Sequence, residues 1–286
     1  MLCGGNPGTV WPPERRFLSH PMTAIAWLHR PHVGFVLAAD GRAEWVAETP
    51  DEELSLPSAN DNQQKIFVAK FKGRDVAFGF TGFVFNEDKS FNLISETHAI
   101  LSSLSDCQSF YDYIDGFSDG IRNVFDAAKR DGRITRFTGN SNCSDPSEAN
   151  IIARAFFAGY FRKRQAASAI VTFSHDNDII AEPKRKYENP PQTDWLCGSG
   201  EIARLIIEGK DESHWAKTYA RQVPRDGSFE DLKSLAKGFI EACSDSRAPA
   251  IDPVCKGIGG RIHIARLTQL GGFEWVKGFE PLTFDG

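Results

Sequence analysis

The sequence predicts an α+β layered sandwich. Three observations carry that expectation. Strand-sized apolar runs and amphipathic helical stretches fall in separate blocks; the blocks run strands, two helices, strands, two helices, strands; and no repeat of solenoid length interrupts them. A doubly wound sheet would alternate strand and helix one by one.

The elements follow in order. Residues 1–21 are rich in Gly and Pro, lack periodicity, and have neither the apolar core nor the small-residue cleavage site of a signal peptide. Three readings stand for this tract: a removable propeptide, an arm packing on a neighbour, or sequence upstream of a start at Met22. Residues 22–286 then form one domain. Apolar runs at 23–28 and 33–39 flank His29-Arg30-Pro31-His32 and predict a hairpin with a long turn. After a polar, acidic stretch, 65–71 and 75–81 form a second strand pair around Lys72-Gly73-Arg74. Segments 95–105 and 108–130 space apolar residues at three and four, as in Phe110, Tyr113, Ile114, Phe117, Ile121, Val124 and Phe125, so both are helices on one face of the sheet. Strands return at 151–160, 169–173 and 179–181. A short apolar and glycine step at 196–200 enters a helix at 201–208, and 229–243 is a second amphipathic helix with Leu232, Leu235, Ala236, Phe239 and Ile240 inward. Strands at 260–268 and 273–277, joined through Leu270-Gly271-Gly272, close the chain.

Composition narrows the function. The 286 residues are 41% hydrophobic, enough for a real core, and 33 Lys plus Arg against 38 Asp plus Glu give a net charge of −5 with no basic block. A nucleic-acid partner is therefore disfavoured. No run approaches the roughly 20 apolar residues of a membrane helix. The six cysteines lie far apart without a Cys-x-x-Cys pair, which fits reduced thiols in a cytoplasm, and the seven histidines lack metal-ligand spacing. Neither a metal nor a cofactor is expected.

Taken singly, the candidate residues have plain readings. Asp40 before Gly41-Arg42 suits a strand-end turn, Lys65 opens a strand where lysine is usually solvated, and Gly82 permits a tight turn. Ser199, between two glycines and ahead of a helix, suits a cap, and Asp252 before Pro253 starts a turn. Gly257, Gly259 and Gly260 suit a loop.

Their order adds information. Thr23-Ala24-Ile25-Ala26, Val36-Leu37-Ala38-Ala39-Asp40-Gly41-Arg42-Ala43, Lys65-Ile66-Phe67, Phe80-Thr81-Gly82, Cys197-Gly198-Ser199-Gly200 and Asp252-x-x-Cys255 together resemble the proteasome β-subunit superfamily, which includes bacterial self-compartmentalising peptidases and ancestral β-subunit relatives. The likeness runs from Met22 to about Val276 and is thinnest over 83–148.

The resemblance implies an N-terminal-nucleophile hydrolase: a four-layer αββα sandwich of two antiparallel sheets flanked by helices, with threonine as first residue and nucleophile. Here that residue is Thr23, its own α-amine acting as base. By family position Lys65 lies beside the hydroxyl, Asp40 holds Lys65, Ser199 and Asp252 surround the α-amine, and Gly82 offers a backbone N–H to the oxyanion. Cys255 stands where the family usually carries a second serine, and a thiol is the weaker hydrogen-bond partner. The long first turn leaves room for a one-residue slip in the nucleophile's register. The implied function is a threonine peptidase acting on peptide or unfolded protein inside a homo-oligomeric ring, fed by a separate ATP-dependent unfoldase, since the chain has no nucleotide-binding loop. Two other readings stand beside it: a non-catalytic structural subunit, and an amidase for small amides on the same nucleophile.

Overall fold

The computed structural model describes residues 23–43, 60–85, 90–134, 137, 150–161, 165–188, 194–208, 215–219 and 225–282. The leader readings, most of the polar tracts at 46–62 and 131–148, and part of that at 183–194 lie outside the described residues.

Two antiparallel sheets organise the chain. Strands β1 (Ile25–Arg30), β2 (Gly34–Asp40), β9 (Asp194–Cys197), β10 (Ile262–Thr268) and β11 (Gly272–Trp275) form one, in the order β11-β10-β2-β1-β9. The other holds β3 (Ile66–Phe71), β4 (Arg74–Gly82), β5 (Ile151–Tyr160), β6 (Ala166–Asp176) and β7 (Ile179–Ile180) in sequence order, with β8 (Lys184–Glu188) also paired to β6. Among the described residues, the helices longer than four residues are α1 (Leu93–Ser103), α2 (Phe110–Arg130), α3 (Gly200–Glu208) and α5 (Phe229–Cys243); α4 (Ala216–Tyr219) and α6 (Ala248–Ile251) are single turns. No helix among the described residues is long and apolar enough to cross a membrane.

Alternation along the strands decides what each face meets. In β1 and β2, Ile25, Trp27, Phe35, Leu37 and Ala39 pack with Ile66, Ala77, Phe156 and Ala158 of the second sheet, so this cluster joins the two sheets. Their neighbours Ala26, Leu28, Val36 and Ala38 pack instead with Leu232, Leu235, Phe239 and Ile240 of α5. Every residue of β1 and β2 is buried, the mark of strands covered on both faces. On the second sheet, Phe78, Phe80, Phe157 and Phe173 meet Tyr113, Phe117, Ile121 and Phe125 of α2. Ser109 and Ser228 start α2 and α5 with capping boxes, each completed by an aspartate three residues on.

The structure corrects several boundaries. β1 begins at Ile25, leaving Thr23 and Ala24 ahead of the strand. The first hairpin turn holds only Pro31, His32 and Val33 between the paired Arg30 and Gly34, so it is short, and β1 and β2 pair continuously from Ile25–Ala39 to Arg30–Gly34. Strand β6 is longer than expected. β8 and the single-turn helices were not anticipated, because KRKYE carries no apolar alternation and four-residue helices carry no periodicity. Residues 194–197, of which only 196–197 read as an apolar step, pair with β1 as a full edge strand.

Candidate active site

Asp40 is the best-connected buried group at the start of β1. Its carboxylate is fully buried at the end of β2. Oδ1 accepts from Lys65 Nζ at 2.9 Å and from the Ala24 N–H at 2.9 Å. Oδ2 accepts from the Gly259 N–H at 3.2 Å and the Arg42 N–H at 3.3 Å. Asp40 also donates its own N–H to the Ala24 carbonyl at 3.1 Å. The aspartate thus does more than hold the lysine: it pins residue 24 through both peptide groups and so fixes where Thr23 stands. The turn and solvated readings of Asp40 and Lys65 give way to a buried ion pair, with Lys65 only 5% exposed.

Burial pushes the Asp40 carboxyl above its ordinary value, while Lys65 and the N–H groups of Gly259 and Ala24 pull it back. Burial pushes the Lys65 ammonium down; Asp40 opposes that shift and Arg42 adds to it. Each member of the pair needs the other to stay ionised.

Thr23, 5% exposed, and Lys65 line one small cleft, partly open to solvent, with a free volume for water of about 20 Å³. Gln63 and Gln64 add polar groups beside them, and Phe67, Phe80, Val84, Phe85 and Ile94 supply apolar walls from β3, β4, the segment just after β4 and α1. Gly82 sits at the end of β4, between Phe80 and Val84 of that wall, and does not itself line the cavity. Its φ is +92°, and a Cβ there would lie 2.4 Å from the Ile152 carbonyl oxygen, so only glycine fits. Gly82 is thus the last paired residue of β4, opposite Ala153, and not a turn residue; it is the positive φ and the close approach to Ile152 that call for glycine.

The remaining candidates form a second group. Ser199 is fully buried and donates from Oγ to Asp252 Oδ2 at 2.6 Å, while the same oxygen accepts from the Ile202 N–H at 3.1 Å, capping α3. Asp252 Oδ1 accepts from the Val254 N–H at 3.1 Å, opening the short 3-10 turn Pro253–Cys255. The Cys255 thiol hydrogen-bonds to Cys243, at the end of α5, and to Ser199. The contacts link Cys243, Cys255, Ser199 and Asp252 in that order. The Cys243 thiol bonded to Cys255 holds it below the ordinary thiol value, whereas burial drives Cys243 well above it. Gly198, one residue before Ser199, has φ +143°; a Cβ there would lie 3.0 Å from the Ala24 Cα and 3.2 Å from the Thr23 carbonyl oxygen. This close approach brings the second group up to the first.

Lys65 and Asp40 are therefore paired directly, Thr23 shares the cleft with Lys65 next to the residue Asp40 holds, Ser199, Asp252 and Cys255 form a neighbouring cluster, and Gly82 lies near the cleft without lining it. The sequence reading missed Cys243, the Gly259 N–H, and the aromatic walls. The glycine run at 257–260 signalled a close backbone approach, but no residue in it named Asp40 as the target. Among the described residues, no group of three or more His, Cys, Asp or Glu is placed to hold a metal ion.

No protein-family model matches the chain. No curated protein matches it. Among solved structures it is similar to Anbu, an ancestral beta-subunit, from Yersinia bercovieri, with 9% identity and a TM-score of 0.42 over 91% of this chain and 88% of that one.

Proposed function

We propose that the chain is a threonine-type amide hydrolase of the N-terminal-nucleophile kind, on a four-layer αββα sandwich, with Thr23 as nucleophile and peptide bonds as substrate. The supporting observation is that Thr23 and Lys65 share one cavity while Lys65 is held by fully buried Asp40. A buried ammonium costs desolvation energy that packing alone does not return, so a buried lysine lining the same cleft as a threonine is a candidate for chemical use.

The chemistry requires Thr23 to become the first residue. Its hydroxyl is a weak nucleophile without a base, and a peptide nitrogen cannot accept a proton, whereas an α-amine titrates at about 7.7–8.0. In the reaction the hydroxyl proton passes to the α-amine as Oγ bonds to the substrate carbonyl carbon. The carbonyl oxygen takes up the negative charge, and the Gly82 N–H receives it. The leaving amine departs with the proton from the α-ammonium, leaving an ester on Thr23. Water, deprotonated by the same α-amine, then hydrolyses the ester. The Lys65 ammonium favours the alkoxide and discourages protonation of the amine, and Asp40 keeps Lys65 charged. Ser199, Asp252 and Cys255 relay protons around the amine. The Phe67, Phe80, Val84 and Ile94 walls suit an apolar side chain next to the cleaved bond. The protein works without cofactor in the cytoplasm, as a homo-oligomeric ring fed with unfolded protein by a separate ATP-dependent unfoldase.

One observation favours a second reading. A thiol, Cys255, stands in the hydroxyl chain, and its weaker hydrogen bonding suits a non-catalytic subunit with the same fold. Intact mass of the purified chain together with turnover of fluorogenic peptides separates the two. The catalytic reading expects a species beginning at Thr23 that cleaves peptides, and a loss on the order of 1,000-fold or more in Thr23→Ala. Surviving turnover in that variant removes Thr23 as nucleophile; exclusive turnover of small amides replaces the peptide substrate.

A further inference from the structure

Lys65 immediately precedes β3, at the end of a loop whose backbone is stitched to the first sheet. Ala43 and Asn60 exchange both backbone hydrogen bonds, the Gln63 N–H donates to the Gly41 carbonyl at 2.7 Å, and the Arg261 N–H donates to the Asp61 carbonyl at 2.7 Å. Within that loop, Asn62 is the residue whose side chain reaches furthest along the chain. Its Nδ2 donates to the Leu282 carbonyl at 2.9 Å, and its Oδ1 accepts from the Leu282 N–H at 3.1 Å. Those two bonds fix the amide's orientation, so the 3.2 Å contact between Asn62 Oδ1 and His263 Nε2 requires His263 to donate. His263 is fully buried on β10, and its other nitrogen, Nδ1, has no hydrogen-bond partner among the described residues. The ring is therefore the neutral Nε2–H tautomer. Burial, with Arg261 and Lys65 adding like charge, pushes its pKa down to about 4, which keeps it neutral in the working range.

None of this is needed for packing alone. An apolar side chain would fill the place without burying an unpartnered nitrogen. We propose that His263, acting through Asn62, is a positioning residue that sets the Lys65 ammonium against Asp40 and Thr23. The proposal rests on the hydrolase reading above for its kinetic consequence, but not for its structural one. A neutral donor is what the position demands, because an imidazolium would place a second cation beside Lys65.

The test uses the full chain and two independent readouts: steady-state turnover of a fluorogenic peptide, and the rate at which an amine-reactive reagent labels Lys65, followed by mass spectrometry. His263→Leu and Asn62→Ala are each expected to lower kcat at least ten-fold with KM unchanged and to label Lys65 at least ten-fold faster. The double variant should be little worse than either single one, since both break the same link. His263→Gln, which keeps a neutral N–H donor, should restore both kcat and protection to within a few-fold of the parent. Parent-like kcat and protection in His263→Leu would overturn the proposal, as would equal loss in His263→Leu and His263→Gln. Should His263→Leu fail to fold, Asn62→Ala carries the same two readouts on an exposed loop. If the unmutated chain turns over no peptide, the hydrolase reading fails, and the labelling rates still decide whether the link positions Lys65.

Discussion

Two buried polar groups meet near the Thr23–Ala24 backbone, and they are built differently. The Asp40–Lys65 pair is charged, lies at the ends of two strands from different sheets, and uses four donors on one carboxylate. The Ser199 group is a chain of small hydroxyl and thiol groups that ends on Asp252 and lies between a helix start and a helix end. The first carries a desolvation cost that only a complete set of partners offsets. The second has little charge to desolvate, and the Ser199 hydroxyl doubles as a helix cap. The difference teaches that the ion pair should be brittle and the hydroxyl chain tolerant.

Breaking the ion pair is the largest expected effect. Lys65→Ala leaves a buried carboxylate uncompensated and should destabilise the fold by about 3–5 kcal/mol at neutral pH, measured by urea denaturation. Replacing both members, as in Asp40→Asn with Lys65→Met, should cost far less than the single change. The pH dependence has a definite sign. Burial raises Asp40, so the stability it contributes is present at low pH and lost as pH rises through the raised value; burial lowers Lys65, so its contribution is present at high pH and lost as pH falls through the lowered value. Where both are ionised, each depends on the other. The deficit of Lys65→Ala should therefore shrink as pH falls and Asp40 takes up a proton. A deficit that is constant with pH, or a double variant as unstable as the single one, breaks the contrast.

Ser199→Ala comes next. It removes the cap of α3 and the hydroxyl donated to Asp252, and should cost about 1–2 kcal/mol, because Asp252 is partly solvent-accessible and water can replace the bond. A loss as large as that of Lys65→Ala would show that the second group is no more tolerant than the first.

Much of this architecture was legible in the residues, for physical reasons that differ by element. The i, i+3, i+4 rows of α2 and α5 gave helices because each buries one continuous stripe. β1 and β2 read as apolar runs because both their faces are covered. β8 stayed hidden because an edge strand of alternating Lys and Arg needs only backbone partners. Within the site, Asp40, Lys65 and Ser199 were named by motif order, but their partners were not. The Ala24 and Gly259 N–H groups belong to the backbone, where the side chain says nothing about a target. His263 and Asn62 are 201 residues apart and become neighbours only once β10 pairs with β2.

Cys255→Ser is the smallest change and the sharpest for the second group. It keeps one proton at the position, so the chain from Cys243 to Asp252 can persist, while an oxygen replaces sulfur as the middle link. A stronger hydrogen bond there is worth about 0.5–1 kcal/mol, which corresponds to a rise in hydrolysis of about two- to five-fold if the relay limits the rate. Stability should change by less than about 1 kcal/mol, because serine is slightly smaller than cysteine and the site is already polar. Such a small gain in rate at constant stability is what a tolerant hydroxyl chain permits and a brittle ion pair does not. A loss of rate instead would mean that the thiol is the group this site is built around, and that its contact with Cys243, at the end of α5, matters more than its bond to Ser199.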